Sequence, residues 1–465
     1  MVKIPSKLED LLPPVALGKI LDVLNQPALS NAFRDALNRV GIKDASPVEQ
    51  VQEAWQQARD WVGQLANRMV NPVHANPQLI NATGELARAE WQGFPMAPTV
   101  AEAYSVQAVN FYYSARLDES AQHAATTLLQ TESALLTSSL AGAIQLLKMS
   151  FAKCVISRAD TVRVPGFGDI GAMLQSGAGN VVEVGATNGA TADDWSQAVN
   201  ASDQVIVLVS PNSLSIADAD QQRAAAIEVA KTTGAAIVEI LLDGVCVSTP
   251  AESTQAESTP GFPIAQQHLQ TGATAIILPL DGFLGGPAGA CLAGPAKLIK
   301  SCRSAATTQG LMLRGAAIAA ANVAFGRAAL TAPLDTGAVD LIHTNIANLK
   351  DRAKRLVVQI NDSEHVLAAE VVERFNALGA SPWNRYSSPS VALSLTPRKD
   401  VATLMNALQS GERGPAILCS SVGERVLIDL RFVPPRDDHQ IVKALKAMEP
   451  KSESPTNEDV AGTDQ

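Results

Sequence analysis

The residues of this 465-residue chain that could do chemistry sit in short glycine- or hydroxyl-rich stretches. Leu280-Asp281-Gly282-Phe283-Leu284-Gly285-Gly286-Pro287 follows the apolar run Ala275 to Leu280 and precedes a second short apolar run ending at Gly294. Runs that short read as buried strands, and the Leu-Gly-Gly-Pro between them forces a sharp turn of the kind that presents chemistry at a strand end. Ser138 and Ser139 open an Ala/Gly-rich helix whose free N–H groups offer a cradle for a phosphate, although such hydroxyls are more often plain helix caps. Gly166-Phe167-Gly168-Asp169-Ile170-Gly171 fits Gly-x-Gly-x-x-Gly with Glu183 on a following strand, a rival dinucleotide site. Pro165 counts against it, because it interrupts the strand that should feed the loop.

Other chemistries find no pattern. His74, His123, His268, His343, His365 and His439 are isolated from one another and from the cysteines, so no metal site is expected. There is no Gly-x-Ser-x-Gly elbow and no lysine closing a glycine loop. Cys154, Cys246, Cys291, Cys302 and Cys419 stand alone in apolar or small-residue surroundings, which reads as reduced, buried thiols and a cytoplasmic location. The opening Met-Val-Lys-Ile-Pro-Ser lacks the apolar core of a signal peptide, and no run suits a membrane span. With 46% hydrophobic and 18% charged residues the composition is that of a globular protein. A net charge of −10 argues against global attraction to nucleic acid, so an RNA partner would require a local basic patch.

The elements that must position these residues alternate. Val205 to Val209 and Ala235 to Leu242 are continuous apolar strands around a helix from Ala219 to Lys231, the pattern of a parallel sheet covered on both faces. Helices are expected at about 295–304, 309–330 and 341–358, the last with an Asp351/Arg355 pair at i, i+4. Strands follow at 391–395, 416–419 and 425–432. Residues 248–260 carry Ala-Glu-Ser-Thr twice and read as a low-complexity loop. The expected domains are a helical N-terminal domain at 1–72, a large α/β domain at 73–308, a linking helix with a small α+β domain at 309–448, and a disordered tail at 449–465.

Several segments together resemble the bacterial selenocysteine synthase family, which converts seryl-tRNA to selenocysteinyl-tRNA with pyridoxal phosphate (PLP). They are Ile80-Asn81-Ala82-Thr83-Gly84, Val155-Ile-Ser-Arg158, Ser176-Gly-Ala-Gly-Asn-Val-Val-Glu-Val-Gly-Ala-Thr-Asn188, the turn at 280–287 and Arg425-Val-Leu-Ile-Asp429-Leu-Arg431. The resemblance spans about residues 75–440 and implies a fold type I PLP-transferase-like architecture, with a mostly parallel central sheet and helices on both faces. It also implies cofactor-binding positions at Ser138, Ser139, Glu239, Asp281, Gly285 and Gly286. The family's Schiff-base lysine, however, falls on Gly282. In the same frame Glu239 replaces the aspartate that holds the ring nitrogen protonated, Leu208-Val209-Ser210 replaces a Lys-x-His, and of a basic segment near residue 116 only Arg116 is left. Lys297 and Lys300 are the nearest lysines downstream. The changes concentrate on chemistry and spare the framework, so the expectation is a member without PLP catalysis that binds or scaffolds as a homodimer or larger homo-oligomer, with no cofactor. The alternatives are a PLP-dependent transferase or lyase-like enzyme using another lysine, with Glu239 as its support, and a tRNA-binding module. The last is weak because Lys7, Lys19, Arg34, Arg39 and Lys43 are offset by nearby acids.

Overall fold

A computed structural model describes residues 79–86, 94–111, 113–164, 166–177, 179–246, 262–330, 337, 340–361, 363, 365–378, 386–411 and 415–446. The chain divides into two compact units, Met1–Asn76 and Pro77–Gln465, and all described residues lie in the second. The helices expected over 7–70, the loop at 248–260 and the tail fall outside the described residues.

The chain runs β1 (Leu79–Asn81), α1 (Pro98–Ala108), α2 (Ser114–Leu129), β2 (Ser133–Thr137), α3 (Leu140–Ser150) and β3 (Lys153–Ser157). A small hairpin of β4 (Arg163–Val164) and β5 (Gly168–Asp169) leads to α4 (Ile170–Gln175). Then come β6 (Val181–Val184), α5 (Ala192–Ala198), β7 (Gln204–Ser210), α6 (Ile216–Thr233), β8 (Ala236–Leu241), α7 (Ala265–Gln270), β9 (Ala275–Pro279) and β10 (Ala290–Gly294). Helices α8 (Ala296–Gln309), α9 (Ala316–Ala328) and α10 (Ile346–Ile360) precede β11 (Val366–Leu378) and β12 (Tyr386–Pro397). Helix α11 (Val401–Ser410), β13 (Ala416–Leu418), β14 (Ser420–Val422), β15 (Arg425–Asp429) and α12 (Asp438–Lys446) complete it.

The seven-stranded sheet has the order β2-β10-β9-β8-β7-β3-β6, and β10 alone runs against its neighbours. Side chains alternate across each strand, so two cores form. Val205, Val207, Val238, Ile240 and Ile277 pack under α3, α4 and α8. Leu136, Ile276, Leu278 and Cys291 face α1, α2 and α9, while Ile206, Leu208 and Ile237 face α5 and α6 with the fully buried Trp195. The α/β expectation and the strands on either side of α6 are met.

Three departures have local causes. The helices expected at 295–304 and 309–330 are 296–309 and 316–328, because Gly310 ends the first with φ 69° and residues 311–313 leave to pair with β2. Strand β11 is absent from the sequence reading, which begins the strands there only at Val391. Its Ala368, Ala369, Glu370 and Glu373 favour helix, and the long antiparallel ladder to β12 overrides that preference. In α10, Asp351 meets Lys354 at 3.7 Å, three residues on, rather than Arg355.

The C-terminal sheet, β11-β12-β15-β14, packs against α10, α11 and α12. Strand β1 pairs with β13 in parallel rather than joining the large sheet. There the Asp429-Leu-Arg431 run is structural. The Asp429 carboxylate accepts from Asn376 Nδ2 at 2.6 Å, Ser390 Oγ at 2.6 Å and the Arg431 N–H at 2.9 Å. The Arg431 guanidinium, 2% exposed, donates to the carbonyls of Ile342, Thr344 and Pro389. Burial pulls its pKa down to about 10, against the pull of Asp429.

Candidate functional site

Open α/β sheets present their sites at the carboxyl ends of the strands. Strand β9 ends at Pro279 and the chain returns as β10 from Ala290, opposite Thr137 of β2, so residues 280–289 stand at that edge. The turn is held by backbone bonds: Leu280 N–H to the Gly289 carbonyl at 2.9 Å, Gly286 N–H to Leu280 at 2.8 Å, and Gly285 N–H to Gly282 at 3.0 Å. Gly285 sits at φ 62°, a left-handed conformation that side chains disfavour. A Cβ on Gly286 would lie 2.8 Å from the Leu280 carbonyl oxygen. The turn therefore needs glycine at 285 and 286. It does not need one at 282, where φ is outside the left-handed region and the nearest atoms to a Cβ would be Phe167 Cζ and the Pro279 carbonyl oxygen at 3.5 Å and Pro279 Cβ at 3.6 Å, all ordinary contacts.

Aromatic rings gather over this turn. Phe94 lies edge-on to Phe167 (6.1 Å, 73°) and to Phe283 (5.2 Å, 80°), and Phe262 is 4.6 Å from Phe283. Leu86, Leu341, Ile342 and Phe432 back the cluster. The Phe94 N–H donates to the Asp281 carbonyl at 2.7 Å and ties the cluster to the turn. Burial pushes the half-buried Asp281 carboxyl up to about 6.

The other expected site residues are distributed as follows. Ser139 caps α3, accepting from the Gly142 N–H at 3.0 Å, and Ser138 donates through N–H and hydroxyl to the Leu311 carbonyl at 2.9 and 3.4 Å. Both serines are exposed at the end of β2, on the same edge as the glycine turn. Residues 311–313 run antiparallel to this end of β2, with Met312 opposite Thr137 and the Leu313 N–H bonded to the Leu136 carbonyl.

Glu239 stands apart from them. It lies mid-strand on β8 and faces the helix layer, 3% exposed. Its carboxylate accepts from Arg223 Nε of α6 at 2.9 Å and pairs with Nδ1 of His268 on α7. Arg223 also donates to the His268 carbonyl at 3.2 Å and to Thr271 Oγ1 at 3.1 Å. Burial pushes the Glu239 carboxyl up, but His268 and Arg223 outweigh it and hold it below the usual range. The acid at the carboxyl end of β8 is instead Asp243, fully buried. The sequence signal for it is Leu241-Leu242-Asp243-Gly244, an apolar strand closing on an acid and a glycine.

The dinucleotide reading loses its geometry. Strand β4 pairs antiparallel with β5 off the main sheet, Asp169 caps the six-residue α4, and the loop delivers Phe167 to the aromatic cluster. Glu183 lies on edge strand β6, 3.7 Å from Arg158 and bonded by Gln175. Nor can Lys297 or Lys300 reach the turn. They sit in the first turns of α8, which starts where β10 ends, at the opposite edge of the sheet. A five-residue strand separates the two edges by about 17 Å.

Among the described residues no group of three or more His, Cys, Asp or Glu is placed to hold a metal, and no helix is long and apolar enough to cross a membrane. All five cysteines are free and buried.

This architecture, a seven-stranded mostly parallel sheet between helices with a small α+β layer, is that of the fold type I PLP-dependent transferases. The L-seryl-tRNA selenium transferase family model matches residues 111–434, more than half of the chain, and the chain belongs to that family. It is 24% identical to the L-seryl-tRNA(Sec) selenium transferase of Hyphomonas neptunium, over 95% of this chain and 97% of that one. The Moorella thermoacetica enzyme of the same name is 23% identical over 82% and 85%. Among solved structures, D-glucosaminate-6-phosphate ammonia-lyase shares the fold with a TM-score of 0.55 at 14% identity, covering 81% of this chain and 97% of that one.

Proposed function

We propose that this chain is a selenium-transferase-family protein that has given up Schiff-base catalysis and acts by binding, as a homodimer or larger homo-oligomer. The observation that carries the reading is Gly282: the turn keeps the glycines its geometry needs at 285 and 286, and Gly282, where a Cβ would make ordinary contacts, bears no side chain. PLP requires an amine for its aldimine, an acid at the ring nitrogen and an anion cradle. The residues present do not fit it. The amine is missing, Phe167 fronts the place from which it would project, and Glu239 is engaged by Arg223 and His268. The test is stoichiometric PLP followed by borohydride and peptide mass analysis. No lysine adduct is expected, and a single adduct at one defined lysine overturns the reading.

Asp243 favours a second reading, PLP catalysis with a lysine from another subunit, because it keeps a buried acid at the carboxyl end of β8. That reading expects the borohydride adduct only in the oligomer, lost on dilution to monomer.

A further inference from the structure

Helix α1 packs on α9, and Val100 is its one buried residue. At helical spacing the opposite side holds Glu102, Ser105, Val106 and, one residue past the helix, Val109, all exposed. The chain then stays apolar on its way to α2: Val109 is 82% exposed, Phe111 fully exposed and Tyr113 79% exposed, and Tyr104 and Val106 add to the same stretch. Phe111 and Tyr113 alone offer roughly 350 Å², where a stable interface takes ~800 Å² from each partner. An exposed apolar stretch of that size marks a contact surface.

Its charge pattern points to the partner. From Pro98 to Arg116 only Glu102 and Arg116 are charged, one near each end and of opposite sign, in a chain of net charge −10. Among the described residues neither forms a salt bridge, and Arg116 lies 5.4 Å from the centre of the Tyr113 ring. Two copies of an acidic protein repel each other, so they meet most easily across a stretch without net charge. A two-fold interface sets each end of such a stretch against the other end of its mate, so opposite signs at the two ends are self-complementary. The stretch also adjoins the candidate site, because the Ala97 N–H, one residue before α1, donates to the Gly285 carbonyl at 3.2 Å.

We propose that the exposed side of α1 and its junction with α2 form a two-fold interface with a second copy of this chain. Val109, Phe111 and Tyr113 make its apolar centre, and Glu102 of each copy faces the partner's Arg116. The second copy then borders the glycine turn. This rests on the reading of the chain as a homo-oligomer and names the surface through which it assembles.

The test measures self-association of the full chain by sedimentation velocity over a concentration series, with circular dichroism melts to confirm that each variant is folded. Association is expected in the wild type. Phe111→Glu should raise the dissociation constant by roughly thirtyfold or more, the effect of losing a central aromatic anchor. Glu102→Arg and Arg116→Glu each set like charges against one another, twice in a two-fold dimer, and each should weaken association by about tenfold. Both changes in one chain restore opposite signs and should bring the constant back to within about threefold of wild type. Association unchanged in Phe111→Glu, or a double variant no tighter than the single ones, overturns the interface and leaves the homo-oligomer reading standing. A wild type that stays monomeric overturns both.

Discussion

Glu239 and Asp281 are acids on or just beyond adjacent strands of one sheet, and their surroundings treat them in opposite ways. Glu239 is almost fully buried, yet Arg223 of α6 and His268 of α7 hold its carboxyl below the usual range. Asp281 is less buried, yet burial, with no cation paired to it among the described residues, raises its carboxyl to about 6. Burial alone does not decide the charge of an acid; the partners supplied by neighbouring elements do. Glu239 thus ties two helices to the sheet, whereas among the described residues the Asp281 carboxyl, in the turn after β9, has no ion-pair partner.

The largest effect that could break this contrast is at Glu239. Glu239→Ala leaves Arg223 without its counter-charge and His268 Nδ1 without its partner, and urea unfolding should show a loss of about 3–5 kcal/mol. A loss below about 1 kcal/mol would mean the cluster is not structural. The sign of its pH dependence follows from the lowered pKa: the ionised pair's contribution is present above the unfolded carboxylate value of 4.5 and fades as pH falls through the lower folded value. The wild-type advantage over Glu239→Gln should therefore shrink only at strongly acid pH.

Next comes the turn. Gly286→Ala pushes a methyl to 2.8 Å from the Leu280 carbonyl oxygen, and overpacking of that kind costs about 1–3 kcal/mol in the same assay. Asp281→Asn should act in the other direction. The folded pKa of Asp281 lies above its unfolded value of 3.8, so the native state holds the extra proton between about 4 and 6 and stability falls as pH rises across that window. The amide removes that loss, and the variant should gain on the order of 1–2 kcal/mol at pH 7.5 and nothing at pH 3.5. An unchanged pH profile would show that Asp281 has a counter-charge after all. The smallest effect is expected at Gly282→Ala, within about 0.5 kcal/mol, because the new Cβ makes only ordinary contacts. Equal losses at 282 and 286 would undo the distinction between a glycine the turn's geometry needs and one it does not.

The sheet was legible because its strands are continuous apolar runs, which only a two-sided core explains, as at Val205 to Val209 and Ala275 to Pro279. The turn was legible because Gly285, Gly286 and Pro287 restrict the backbone locally. The site was less so. The family resemblance, matched residue by residue along the apolar strand, implies the ring-nitrogen role for Glu239; its carboxylate instead faces α6 and α7. Arg223 and His268 are 16 and 29 residues away in the chain, and nothing local announces their convergence. The same holds for Phe167. It belonged to a glycine pattern suggestive of a dinucleotide, and only the antiparallel pairing of β4 with β5 turns that loop into a wall of the candidate site.

The sequence by itself determined the α/β layering, the glycine turn and the glycine at position 282, since periodicity, backbone restriction and residue identity are local properties. Only the tertiary structure decided which acid is neutralised and which is left open, because the field at a carboxylate is set by groups that the chain brings together from distant segments.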